Sequence, residues 1–476
     1  MDRRQFLGSS VAGVGAVVSG PMWRAAHVQE ATPGAGPYGS IEGVSPDGNG
    51  LVLPEGFTSR VIATSDSVVG GTDYIWHVFP DGGATFATGD GDDGGWIYVS
   101  NSEAILPGTG GASAVRFDAD ANVIDAYRIL GGTTINCAGG PTPWGTWLSC
   151  EEFDWHGNDE ATEAFGSVAG RVFETDPTGE AEPILHSAMG LFQHEAAAVD
   201  PVNEWVYMTE DQADGCLYRY IPDAYPDLSA GRLEVAVLEG DAVDGQNVSW
   251  LAVPDPSAAE QPTKDQVSDA TGFPGGEGLW YHDGTIVFTT KGDNRIHALE
   301  TTSNNYRVIY DAEALGESTP LRGVDNITVE AGSGDLYVAE DGDDMQVVIV
   351  TPAGVVAPFA QVMDQDDSEV TGPAFSPDGT RLYFSSQRGS DGRGITYEVT
   401  GPFRGASTGA AAASTTTTTS NPADTIESAA AAKTPGDSGD DGSALPVVAG
   451  GAAVAAAIAA GAAVLARRNR GSTDPG

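Results

Sequence analysis

The seven residues WVYMTED (205–211) set a pattern that the chain repeats: an apolar run, a small residue, then a polar pair. Five other copies read WIYVSNS (96–102), TWLSCEE (146–152), TIVFTTK (285–291), DLYVAED (335–341) and RLYFSSQ (381–387). Side chains along such a run alternate between two faces, and its β-branched and aromatic residues suit a pleated, half-buried surface. The copies end about 45 to 80 residues apart, the spacing of propeller blades with loop insertions rather than of a helical solenoid. Six copies imply six blades.

About 14 residues before most of these endings, a polar residue opens another short apolar stretch. These openings are Cys137 in NCAGG, Glu195 in HEAAAVDP, Glu277 in GEGLWYHDG and Asp325 in DNITVEAGSGD. DP, DG and GSGD in the intervals are turn signals, so each pair of runs brackets a hairpin, and its first and last residues meet at one rim. The polar residues converge there. Composition agrees, because 64 glycines and 28 prolines suit short strands and tight turns, and no long amphipathic helical pattern occurs. The expected fold is all-β, a six-bladed β-propeller over residues 50–404. A strand near residues 57–64 should close the ring beside 395–399, since closure protects sheet edges.

The two ends are of different material. Residues 1–30 begin MDRRQFLGSSVAGVGAVVSG, with Arg3 and Arg4 ahead of a weakly apolar, Gly/Ser-rich stretch, the form of a twin-arginine export signal. Residues 405–445 are rich in Ala, Ser and Thr and cannot bury enough surface to fold, so they read as a disordered stalk. Residues 446–466 form an apolar stretch followed by Arg467, Arg468 and Arg470 in the basic tail 467–476. That is the pattern of one C-terminal transmembrane helix with its positive flank inside. The chain is expected to be exported and held at the cell surface as a monomer, with its propeller outside.

Lys and Arg number 22 against 68 Asp and Glu, a formal charge of -46, which argues against nucleic acid as a partner. Such self-repulsion is tolerable at high salt, where the Debye length falls to about 3 Å at 1 M. Within this excess, Asp81, Glu195, Glu277 and Asp325 fall at strand starts and Glu151, Glu152, Glu210, Asp211, Glu340 and Asp341 at strand ends. Adjacent strand residues face opposite ways, so about half of the paired acids turn from the rim. Carboxylates crowded at one mouth either take up protons or recruit cations, and an all-oxygen set suits calcium.

Three cysteines make no disulfide framework. Cys150 and Cys216 lie in apolar strand text, as packing residues do, whereas Cys137 opens a hairpin on the rim and is the candidate ligand. The alternative for Cys137 is a buried thiol, or a disulfide with Cys150 or Cys216. A thiolate among oxygens calls for a softer or more Lewis-acidic ion than calcium, such as iron or zinc. Lys291, one of only three lysines, ends a repeat, and Arg388 follows another. A cationic pair beside metals suits an anionic ester, and a guanidinium can grip two phosphate oxygens at once. Small phosphorylated substrates are therefore the leading class, with ion pairing to nearby carboxylates as the alternative role for each cation.

The run INCAGGPTPWGTWLSCEE, then HEAAAVDP followed by VYMTED and GCLYRYIP, the early PDGGATF with YVSNSE, and the twin-arginine start together resemble the PhoX alkaline phosphatase family of exported propellers. The resemblance implies a metallophosphatase with an iron pair and calcium ions joined through an oxo bridge. It implies Cys137 as an iron ligand, Glu195 and Glu277 as carboxylate ligands, Glu151 or Glu152 in the same shell, and Asp211, Asp325 and Glu340 as further ligands. Two positions depart from the family pattern: Gly275 stands where an arginine is usual and Ser102 where a histidine is usual. A calcium-dependent lactonase or a non-catalytic binding propeller would share the acidic mouth without needing Cys137, and metal content separates the three readings.

Overall fold

The computed structural model describes residues 31–89, 94–154, 169–239, 245–342, 344–389 and 391–406. The export signal, the membrane span, the basic tail and all but the first two residues of the stalk lie outside them. Among the described residues no helix is long and apolar enough to cross a membrane, and the one α-helix is the single turn Ala312–Leu315.

Six sheets follow one another along the chain, each beginning with an inner strand. These are Pro80–Thr88, Asn136–Pro141, His194–Asp200, Gly276–His282, Val324–Val329 and Val370–Phe375. Each contacts the next and the last contacts the first, so they surround an axis. The six sequence repeats are the second strands: Gly95–Ser102, Trp147–Glu151, Trp205–Glu210, Thr285–Thr290, Leu336–Glu340 and Arg381–Ser386. Each hairpin returns its chain to the rim where the inner strand began.

Aromatic residues of the repeats seal the blades against one another. Tyr98, Tyr207, Tyr337 and Tyr383 are fully buried, a burial that contributes roughly 1.5–3 kcal/mol for a large side chain. Tyr98 of the first blade stacks on Tyr383 of the sixth with ring centroids 4.9 Å apart, and Trp96 Nε1 donates to the Tyr383 hydroxyl at 3.0 Å.

The ring closes as the sequence pattern expects. Thr58–Thr64 completes the sixth sheet by pairing with Ile395–Thr400. Glu398, 1% exposed, fastens that joint: it accepts from Arg60 Nε and Nη2 at 2.8 Å, from Arg381 Nη1 at 2.7 Å and from the Tyr383 hydroxyl at 2.7 Å. Removing this acceptor leaves two guanidinium groups without their shared anion, so Glu398→Ala should destabilise the propeller by about 3 kcal/mol. Urea midpoints at equal slope measure it; a loss below about 1 kcal/mol would show that strand pairing alone holds the ring.

Candidate metal centre at the propeller mouth

Every inner strand is bulged near its start. The register slips between Pro80 and Gly83, Asn136 and Gly139, His194 and Ala197, Gly276 and Leu279, Val324 and Ile327, and Thr371 and Ala374. A bulge inserts an extra residue and re-aims the side chain it carries. Here the re-aimed positions are Asp81, Cys137, Glu195, Glu277 and Asp325, with Thr371 at the equivalent place in the sixth blade. Six repetitions of one backbone irregularity thus build an inner ring of five ionisable groups.

A second ring is formed by the residue just past each repeat strand. Glu103, Glu152, Asp211, Lys291, Asp341 and Gln387 each donate a backbone N–H to a carbonyl just ahead of their own inner strand, at 2.7–3.2 Å. The shared bond fixes the register and corrects the reading of the first copy by one residue. Ser102 pairs with Pro80 as Glu151 pairs with Asn136, and Glu103 takes the ring position.

The residue before each ring position faces the other way, as the strand period of two requires. Glu151 accepts from the Thr134 and Arg171 amides at 3.0 and 3.2 Å, and Glu340 accepts from the Arg322 amide at 2.9 Å. Glu151 and Glu340, expected as ligands, therefore anchor loops. Of the pair 151–152 it is Glu152 that joins Cys137.

Among the described residues, four groups of three donors have ligand atoms within 4.8 Å of one another: Cys137, Glu152 and Glu195; Glu195, Glu277 and Asp325; Asp325, Asp341 and Glu369; and Asp81, Glu103 and Glu369. Glu195 belongs to the thiol group and to an all-oxygen group, so it links them. Glu369, Glu103, Asp81 and Asp341 were absent from the ligand set read from sequence. Asp81 and Asp341 stood in its rim acids, and a one-residue shift of the first copy would have found Glu103. Glu369 carries no repeat signal, because it lies two residues ahead of Thr371, where the sixth blade lacks its acid. Asp211 lies at the rim, where its charge adds to the field on Glu277 and Lys291.

Burial, reinforced by neighbouring acids, pushes Asp81, Glu195 and the Cys137 thiol well above their ordinary ranges. Burial likewise raises Glu277 and Glu369 although Lys291 and Arg388, respectively, oppose it. Glu195 Oε2 is buried with no hydrogen-bond partner, and the three described cysteines are free thiols, which removes the disulfide alternative for Cys137. A donor set this acidic, carrying an orphaned carboxylate oxygen, fits metal ions.

Both cations pair with carboxylates, Lys291 with three and Arg388 with part of its guanidinium fork. Lys291 Nζ lies 3.0 Å from Glu277 Oε1, 3.0 Å from Asp325 Oδ2 and 3.1 Å from Asp341 Oδ2, the first an ion pair without a well-directed hydrogen bond. With three carboxylates around its ammonium, two of them hydrogen-bonded, Lys291 differs from the phosphate-gripping cation expected of it. Arg388 Nη2 meets Glu369 Oε1 at 2.8 Å and its Nη1 donates to Gln387 Oε1. Gln387 in turn donates to Asp81 at 2.5 Å and Glu103 at 2.7 Å. Gly275, at φ 62°, borders Asp211 and Lys291: a Cβ there would stand 3.4 Å from Asp211 Oδ1 and 3.7 Å from Lys291 Cβ.

In three blades the residue two places before the ring position ties down the neighbouring bulge. Asn101 Nδ2 donates to the Ala138 carbonyl at 2.6 Å and the Cys137 carbonyl at 3.3 Å, Thr209 Oγ1 to the Glu277 carbonyl at 2.5 Å, and Thr289 Oγ1 to the Asp325 carbonyl at 2.6 Å. Each clasp ties one blade to the bulge of the next. Beneath the acids the axis is lined by Gly82, Ala138, Ala196, Gly278, Asn326 and Gly372. Gly372 is required at φ 60°, where a Cβ would meet the Asp81 carbonyl oxygen at 2.5 Å. Asn326 alone is large and polar in that layer: it donates to Asp325 at 2.9 Å and accepts from the Gly372 amide at 2.7 Å. Thr209→Val keeps the shape but strands the Glu277 carbonyl, and should cost about 1–2 kcal/mol together with weaker metal retention. Unchanged metal affinity in a variant destabilised by that amount would restrict the clasp to a role in folding.

The family model for alkaline phosphatase PhoX matches residues 97–310 and 280–389. Among solved structures, Pseudomonas fluorescens PhoX in complex with vanadate, a transition state analogue, aligns with a TM-score of 0.61 at 18% identity, covering 74% of this chain and 96% of that one. A gluconolactonase from Xanthomonas campestris reaches 0.36 at 13% identity, over 68% and 86% of the two chains, and a Bacteroides thetaiotaomicron protein of unknown function 0.42 at 11%, over 72% and 76%. The first shows the shared propeller fold; the other two are too distant in shape to argue from. A comparison with curated protein sequences returns no match.

Proposed function

This chain belongs to the PhoX alkaline phosphatase family, and we propose that it hydrolyses phosphate monoesters at the propeller mouth with bound metal ions. The observation that carries the reading is the meeting of Cys137, Glu152 and Glu195 at one bulged rim, with Glu195 Oε2 buried and unpartnered. A thiolate donor selects a softer or more Lewis-acidic ion, so Cys137, Glu152 and Glu195 are assigned to iron. The single all-oxygen group of Asp81, Glu103 and Glu369 is assigned to calcium. When bound, such ions polarise a phosphoryl group and lower the pKa of water near neutral pH, which makes a serine or histidine nucleophile unnecessary.

The chain's own residues position and charge that chemistry. Arg388, with its side chain 27% exposed at the mouth, is the cation assigned to the phosphate; Glu369 and Gln387 hold its guanidinium in place. Gln387 fixes the facing edges of Asp81 and Glu103. Asn326 braces the layer beneath the acids, donating to Asp325 and accepting from the Gly372 amide. The bulged backbones hold the carboxylates where charge must be compensated. The sequence signals at 1–30 and 446–466 support a propeller exported folded and tethered outside the membrane.

The test is metal analysis of the exported protein with a p-nitrophenyl phosphate assay at molar salt, before and after chelation, with vanadate as inhibitor. Iron and calcium together with chelator-sensitive, vanadate-inhibited hydrolysis are expected. Protein that retains both metals yet leaves the ester intact would defeat the phosphatase reading, and calcium alone with lactone hydrolysis would replace it.

A further inference from the structure

The second ring holds carboxylates in four blades, Gln387 in one and a base only at Lys291. This base reaches inward rather than outward: its Nζ sits at 3.0–3.1 Å from oxygens of Glu277, Asp325 and Asp341. Asp325 belongs to two of the four donor groups, Glu277 to one and Asp341 to another, so the ammonium stands at the join of two potential cation sites. Calcium binds carboxylate oxygens at about 2.3–2.6 Å and needs six to eight of them. Such an ion cannot share those oxygens with an ammonium already among them, because the two positive charges would lie within one coordination sphere.

We propose that Lys291 is a tethered counter-ion that fills the Glu277–Asp325–Asp341 corner, so that this corner takes no divalent ion and metals are held elsewhere in the mouth. The inference rests on the metal-dependent reading above and adds what sets the metal count. A single charge supplied by the chain replaces an ion that would otherwise have to be captured. Glu195, which shares a donor group with Glu277 and Asp325 and has a buried, unpartnered Oε2, is the carboxylate through which a metal would enter the corner once the ammonium is gone.

The experiment counts calcium by equilibrium dialysis of the full exported chain, its Lys291→Met variant and its Asp341→Asn variant, with folding followed by circular dichroism. Lys291→Met keeps the length of the side chain and removes its charge, and should bind about one calcium per chain more than the wild type. Asp341→Asn touches a rim carboxylate that binds no metal on this view, and should leave the wild-type count unchanged. An unchanged or smaller count in folded Lys291→Met overturns the proposal. So does loss of about one calcium in Asp341→Asn, which decides the matter should Lys291→Met fail to fold even in calcium. A wild-type chain that binds no metal overturns the metal-dependent reading itself, whereas a metal-loaded wild type with unaltered variants overturns only this inference.

Discussion

Cys137→Ser is expected to release iron and abolish phosphatase activity together while the propeller stays folded. A hydroxyl supplies neither the charge nor the bond strength of a thiolate, so activity should fall at least about 10³-fold, equivalent to roughly 4 kcal/mol. The fold should tolerate the change, because the bulge that carries Cys137 is held by its backbone through Asn101 rather than by the sulfur. Cys150→Ser is the control, since that thiol is wholly buried in apolar packing and outside the metal-donor groups. It should cost about 1–3 kcal/mol of stability and keep its metals. Metal analysis and hydrolysis measured on the same preparations decide the matter: a Cys137→Ser protein that keeps iron and full activity would remove the thiolate from the mechanism.

Glu195→Gln should produce two effects of opposite sign. Glu195 is one of the three donors assigned to iron, with Cys137 and Glu152, so losing its charge should cost at least about 10²-fold in metal retention and activity. The metal-free protein, in contrast, should become more stable. Burial and the neighbouring Glu277 and Glu152 disfavour the ionised carboxylate, and a neutral amide removes that repulsion, raising the midpoint of thermal unfolding by about 1–3 °C. Scanning calorimetry of chelated and reloaded samples separates the two. A metal-free Glu195→Gln protein that melts below its metal-free parent would mean that the carboxylate supports the fold instead of the ions.

The blade count, the closing strand and the convergence of polar residues on one rim were legible because each depends on local periodicity and turn chemistry. Cys137, Glu195, Glu277 and Asp325 were legible for the same reason, as openings of a repeated hairpin. What escaped depends on register and tertiary approach. A shift of one residue hid Glu103 behind Ser102 and gave Glu151 and Glu340 the wrong face, since two adjacent acids in a strand look alike until the pairing is fixed. Glu369 reaches the mouth from outside the repeat, through a position that periodicity does not mark. Lys291 was conspicuous for its rarity, yet only the distances to Glu277, Asp325 and Asp341 show which charges it serves.

Ring closure also dictates an order of events during biosynthesis. The first and last blades share one part of the mouth: Gln387 touches Asp81 and Glu103, and the strand Thr58–Thr64 completes a sheet whose other strands are made more than three hundred residues later. Contacts so distant in sequence carry a large loop-closure cost and form late. A partly synthesised chain therefore has an incomplete coordination mouth as well as an open sheet edge. The group of Asp81, Glu103 and Glu369 is assembled only once translation reaches the sixth blade, which makes the loading of that site a checkpoint on the finished polypeptide rather than an aid to its early folding.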